Sequence, residues 1–199
     1  MTDEYKTIQA DARAEMKVQG SRFIATVYPT TTNEEAELFI ARMKREFFDA
    51  THNCFAYRIG TGGDQFRASD DGEPGGTAGR PILTAIDRLG LTDLTIVVTR
   101  YFGGTKLGVG GLSRAYGAAA GRVLSKATTI VKHRLGAVKT SFPHSQISNV
   151  MHVVSRVGAR IVDTTYDEEV HIHLECRLSK QDELRALLVD HTSGNIRFT

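Results

Sequence analysis

Apolar and polar positions alternate along YKTIQA, ARAEMKV and SRFIATVYP, the blocks that fill most of residues 5–30. A two-residue period belongs to a half-buried strand, so the stretch predicts two or three strands, with a turn at Gly20 and a stop at Pro29. The period then lengthens. In TTNEEAELFIARMKREF, Ala36, Phe39, Ile40, Met43 and Phe47 recur at helical spacing behind a Thr or Asn cap. HNCFAYRIG returns to alternation, and TGGDQ reads as its turn. FRASDDGEPGGTAG has no period and predicts an irregular loop, while PILTAIDRLG predicts a helix stopped by Gly90. LTIVVTRYF is apolar and β-branched, which predicts a buried strand. A glycine-rich loop then leads into a helix from about Leu112 to Lys126. On it Gly117 and Gly121 stand one turn apart, a spacing that suits close packing against a sheet.

After Arg134 the texture changes. LGAVKTSFP, SQISNVMHVVSRVG, ARIVDTTYDEE, VHIHLECRLS, KQDELRALLVDHTSG and NIRFT read strand, helix, strand, strand, helix, strand. That is the ferredoxin-like split β-α-β order, with Gly158 and Gly194 as helix stops. The expected architecture is α+β in two domains, residues 1–135 and 136–199.

Charge sharpens this division. The first part carries 18 basic against 15 acidic side chains, the second 7 against 8. From Leu94 to Val162 there is no carboxylate, but there are ten cations: Arg100, Lys106, Arg114, Arg122, Lys126, Lys132, Arg134, Lys139, Arg156 and Arg160. Such a tract is either an electrostatic footprint for an anionic partner or a set of solvating charges balanced in space by the acidic N-terminal third. No apolar run approaches the 18 or so residues of a membrane span, and the polar start MTDEYKTIQADARAEM lacks the core of a secretory signal. Two distant cysteines suggest no disulfide framework, so a cytoplasmic protein with no membrane partner is expected.

Candidate chemistry gathers in the middle of the chain. Five glycines crowd the nine residues from Gly103 to Gly111, between a strand end and a helix start. Bare backbone there lets a phosphate approach the helix N-terminus, with Arg100, Lys106 and Arg114 supplying charge. The phosphate-binding set is therefore Arg100, Gly103, Gly104, Lys106, Gly108, Gly110, Gly111 and Arg114. The spacing fits neither common nucleotide-binding glycine motif, and tight turns or helix–sheet packing account for the same glycines. SDDGEP brings together Asp70, Asp71 and Glu73, which suit a divalent ion, an acid–base pair, or turn and cap chemistry. His52 and Cys54, two apart on a strand, share a face, as do His171 and His173 with Cys176 close behind. His52 and Cys54 suit a Cys–His nucleophilic pair, but neither group has the further ligands zinc needs, and packing or a surface position accounts for both. No metal, cofactor or catalytic residue is expected.

THNCFAYRIG, SDDGEPGGTAGRPIL and VVTRYFGGTKLGVGGLSRAYGAAA, in this order and spacing, resemble the signature of the Impact family, and its bacterial YigZ-type branch in particular. Over the motif the resemblance picks out His52, Cys54, Asp70, Asp71, Glu73, Pro74, Gly79, Arg100, Gly103, Gly104, Gly108, Gly110, Gly111 and Tyr116. It implies an N-terminal domain like the second domain of ribosomal protein S5 and a C-terminal domain like the last domain of elongation factor G. Eukaryotic relatives add an RWD domain and restrain a translation kinase; this chain begins directly with the shared domain. The resemblance thus implies a translation-associated regulatory factor that binds RNA or the ribosome, or a protein partner in translation control. The alternative is an enzyme handling phosphate or a nucleotide, since small-molecule kinases of the S5-like fold carry a loop resembling KLGVGGLSRAYGAA. Here Ser113 stands alone where such kinases have a serine pair.

Overall fold

The computed structural model describes residues 3–199, which fall into two compact units: Tyr5–Lys132, and His133–Thr199 together with Asp3 and Glu4. The chain opens with β1 (Glu4–Ile8), followed by β2 (Ala12–Val18), β3 (Ser21–Pro29), α1 (Asn33–Glu46), β4 (His52–Ile59) and β5 (Gln65–Ser69). Next come α2 (Gly79–Arg88), β6 (Leu94–Tyr101), α3 (Gly108–Lys126) and β7 (Thr129–His133). Five strands form one antiparallel sheet in the order β2-β3-β6-β4-β5, and β1 pairs with β7 in a separate ribbon.

Helices cover both faces of this sheet. Ala36, Phe39, Ile40 and Met43 of α1 pack on Phe55, Tyr57, Ile59 and Val97. On the other face Ile82 and Ile86 of α2, with Ala115, Tyr116, Ala119 and Val123 of α3, pack on Phe23, Ala25, Cys54, Ala56, Ile96 and Val98. The central strand β6 is therefore buried on both sides, which is why its sequence is apolar without alternation. Thr32 caps α1: its hydroxyl accepts from the Glu35 N–H at 3.2 Å, and the Glu35 carboxylate accepts from the Thr31 N–H at 2.7 Å.

Three details differ from the pattern-based reading. The helix α3 begins at Gly108, a turn earlier than expected, so Gly108, Gly110 and Gly111 open it and do not lie in a loop. Gly117 faces Pro81 of α2, not the sheet, and Gly121 has open space beside it; alanines make the contact with the sheet instead. The strands β5 and β7 were not expected. The first is a polar edge strand with Phe66 facing solvent, and the second lies between the helix predicted to end at Lys126 and the strand predicted from Leu135. The closest glycine contact in this unit admits no side chain. A Cβ on Gly103 would lie 1.9 Å from the carbonyl carbon of Gly20, so the turn after β6 rests directly on the backbone of the turn before β3.

The smaller unit contains β8 (Leu135–Phe142), α4 (Ile147–Val157), β9 (Arg160–Tyr166), β10 (Val170–Arg177), α5 (Gln181–His191) and β11 (Arg197–Phe198). Its antiparallel sheet has the order β11-β8-β10-β9, so the expected β-α-β-β-α-β succession forms a single split sheet. Val138, Phe142, Ile172 and Leu174 face Val150 and Val153 of α4 and Leu184 and Leu188 of α5. Ser179 donates from its N–H and hydroxyl to the carboxylate of Asp3, which ties that residue into this unit. The molecule is α+β in two parts. Among the described residues no helix is long and apolar enough to cross a membrane.

Candidate functional site

Alternation along β6 sends Ile96, Val98 and Arg100 to the face covered by α2 and α3. The register places Arg100 between Phe23 of β3 and His52 of β4. A guanidinium delivered there is out of water, with its side chain 6% exposed. Burial of that charge requires a partner, and Glu73 supplies it, itself 3% exposed, with Arg100 Nη1 donating to Oε1 at 2.7 Å. Tyr116 of α3 donates to the same oxygen at 2.7 Å. Arg100 Nη2 donates to Ser21 Oγ at 3.3 Å, and the rings of Phe23 and Phe102 lie 5.6 and 5.5 Å from the guanidinium carbon. Arg100 Nε has no partner among the described residues.

The acids of SDDGEP do not act together. Asp70 Oδ1 accepts from the N–H groups of Ala78 and Gly79, and Oδ2 from that of Gly76, all at 2.8 Å. It thus caps α2 from eight residues upstream, at a terminus whose own N-cap residue is an alanine. Burial opposes the Asp70 charge, but the bonds from Gly76, Gly79 and Ala78 outweigh it and hold the carboxyl below the ordinary aspartate value. Asp71 sits in the left-handed region at φ 44°. Its Oδ2 accepts from the Asn53 N–H at 2.7 Å, and its Oδ1 pairs with Lys44 at 2.6 Å. Glu73 alone turns inward. Gly79 is needed because a Cβ would lie 2.6 Å from the Ser69 nitrogen. Pro74 ends the acidic run, and its carbonyl accepts from Thr77.

His52 and Cys54 bind the first loop to the sheet. His52 Nδ1 meets the Asp71 carbonyl at 2.8 Å; a carbonyl only accepts, so this nitrogen carries the proton. Its Nε2 then faces Glu73 Oε2 at 3.9 Å. The Cys54 thiol donates to the Asp70 carbonyl at 3.0 Å, and burial pushes it up to about 12. A thiol so far from ionising is a packing group, not a nucleophile. Burial, followed by its neighbour Cys54, also drives the Tyr116 phenol strongly upward, so its hydroxyl stays a donor to Glu73.

The remaining predicted residues lie outside this cluster. Gly103, Gly104, Lys106, Gly108, Gly110 and Arg114 are exposed and Gly111 is half-buried. The α3 N-terminus has no side-chain cap and no acid in its first turn. The two motif stretches do adjoin: Glu73 reaches Arg100, and Gly76 lines the same groove as Ser113 and Arg114. Arg100 was grouped with the phosphate-facing cations, but its charge is turned inward onto Glu73. Pattern reading missed Ser21 and Lys44, whose partners lie 79 and 27 residues away, and also Arg80 and Arg88 of α2. The repeat of Arg80, Thr84 and Arg88 at every fourth position was the signal available for the last two.

The fold and buried cluster define a two-part protein whose first unit is built around the three motif stretches. Residues 19–124 match the Impact N-terminal domain, and residues 140–195 match a domain of unknown function, DUF1949. The IMPACT family member YvyE of Bacillus subtilis is 32% identical over 194 residues, spanning 98% of this chain and 89% of that protein. The IMPACT family member YigZ of Escherichia coli is 33% identical over 183 residues, spanning 91% and 90%. A crystal structure described as a hypothetical protein aligns with a TM-score of 0.75 at 29% identity, covering 100% of this chain and 97% of that one. The chain belongs to the Impact family and is of the YigZ type.

Proposed function

We propose that this protein is a translation-associated regulatory factor of the cytoplasm that binds RNA or the ribosome. In this reading residues 1–135 form a domain like the second domain of ribosomal protein S5. Residues 136–199 form a ferredoxin-like domain like the last domain of elongation factor G. The carrying observation is the open cationic surface at the start of α3. Lys106 and Arg114 are exposed and have no ion pair with any described carboxylate, beside a glycine-rich helix start with uncovered N–H groups. Phosphate contacts from such groups give affinity without sequence preference. The enzyme alternative has less support, because Asp70, Asp71 and Glu73 are each engaged by internal donors and do not converge on a shared ion.

The test is binding of the purified protein to ribosomal RNA, RNA oligomers and free nucleotides, measured side by side across a salt series. Lys106→Ala and Arg114→Ala should each weaken RNA binding similarly for all sequences and reduce the salt slope by about 0.7–1. Binding that neither variant alters would leave the glycine stretch as a packing device only.

A further inference from the structure

Between α2 and α3 runs a groove of about 590 Å³ that carries three arginines. Arg80 and Arg88 stand on α2, Arg114 on α3, and Thr84 and Ser113 add hydroxyls; Gly117 and Pro81 approach each other along it. No lining residue is acidic. The nearby Asp87 is already paired with Arg58 at 2.7 Å, and no described carboxylate pairs with any of the three guanidiniums. One unpaired surface arginine would carry no inference, but three on the walls of one acid-free groove concentrate positive potential there. Guanidinium forks match phosphate oxygens, and the Ser113 hydroxyl is a donor of matching type; the Thr84 hydroxyl donates to the Arg80 carbonyl at 2.9 Å.

The dimensions select the ligand. Eight residues separate Arg80 and Arg88 on α2, about 12 Å at the helical rise. A single phosphate group does not span that distance, whereas phosphates along one strand do. The groove takes in the backbone of one strand and, at about 590 Å³, is too small to enclose a duplex. No aromatic ring lines the groove to stack a base, so the fit is to backbone and not to sequence. We propose that the α2–α3 groove is a track for the sugar–phosphate backbone of single-stranded RNA, with Arg80, Arg88 and Arg114 on separate phosphates of the same strand. That the polyanion is RNA rests on the reading proposed above; the groove, the single strand and the two α2 arginines are additional to it.

The experiment is fluorescence anisotropy of the full-length protein with a labelled oligouridylate of about 12 nucleotides, over a range of salt. Arg80→Gln with Arg88→Gln should lower the slope of log affinity against log salt by about 1.4 and weaken binding about 25-fold at 0.1 M salt. The matching lysine double variant should keep the wild-type slope, and the thermal midpoint of both should stay that of wild type. If the glutamine variant binds like wild type while Lys106→Gln weakens binding, the groove assignment fails and the RNA reading stands. If the wild type ignores RNA, or binds only a polyglutamate peptide, both fail. Tighter binding of a duplex of equal length would overturn the single-strand track.

Discussion

Replacing Glu73 with alanine should destabilise the larger unit by about 3–5 kcal/mol, the usual cost of stripping one partner from a buried ion pair. The geometry puts the variant at the costly end of ordinary substitutions. Arg100 would keep its guanidinium at 6% exposure with only the long Ser21 bond, at 3.3 Å, and an Nε that already lacks a partner. Tyr116 would lose its acceptor as well. Tyr116→Phe alone should cost about 1.5–3 kcal/mol, the range for a bond to a charged group. Against a typical domain stability of 5–15 kcal/mol, Glu73→Ala removes a large fraction. Removing both charges, with Glu73→Leu and Arg100→Met, should recover part of the loss, because an apolar pair leaves no stranded charge although Tyr116 still lacks its acceptor. Urea unfolding followed by far-UV circular dichroism measures the change. Hydrogen exchange of peptides from residues 5–132 assigns it to that unit, since a two-unit chain need not unfold in one step. A loss below about 1 kcal/mol in Glu73→Ala, or a double variant no better than the single one, would refute the reasoning.

Two further outcomes follow from the same site. With its thiol pushed up to about 12 by burial, Cys54 should be ~10⁻⁴ ionised at pH 8. A chromogenic disulfide reagent should therefore find two thiols rapidly only in urea, and a fast single-thiol burst from native protein would return Cys54 to the list of nucleophiles. The depressed carboxyl of Asp70 gives stability that is complete above the unfolded value near 3.9 and is lost as pH falls through the lower folded value. The stability gap between wild type and Asp70→Asn should thus be full at neutral pH and shrink below about pH 4; a gap constant down to pH 3 would show that the charge contributes nothing.

Much of the fold was legible because local signals agreed with their surroundings. The stripe from Ala36 to Met43, the cap at Thr32 and the continuous apolar run of β6 each report burial directly. The strand β5 was hidden because an exposed edge strand needs no apolar face, and its glycine-rich flanks mimic a loop. The early start of α3 was hidden because glycine is a poor helix former, and its first residue, Gly108, takes a left-handed φ of 70° that glycine adopts readily. The motif residues were identifiable, but their partners were not. That Arg100 meets Glu73 depends on the β4–β6 register and on which face residue 100 occupies, and spacing along the chain reports neither. Asp70 likewise looks like a member of an acidic cluster until the backbone folds three N–H groups onto it.

The attachment of Asp3 to Ser179 has a consequence for the order in which the chain matures. During synthesis a domain folds once its residues have emerged, at a translation speed of about 5–20 residues per second. The larger unit is complete at Lys132, whereas the carboxylate of Asp3 meets its partner only when Ser179 appears. The 47 residues between them represent about 2–10 seconds of elongation. For that interval the earliest described residue of the nascent protein waits without its partner, and the smaller unit, though it holds that residue, closes last.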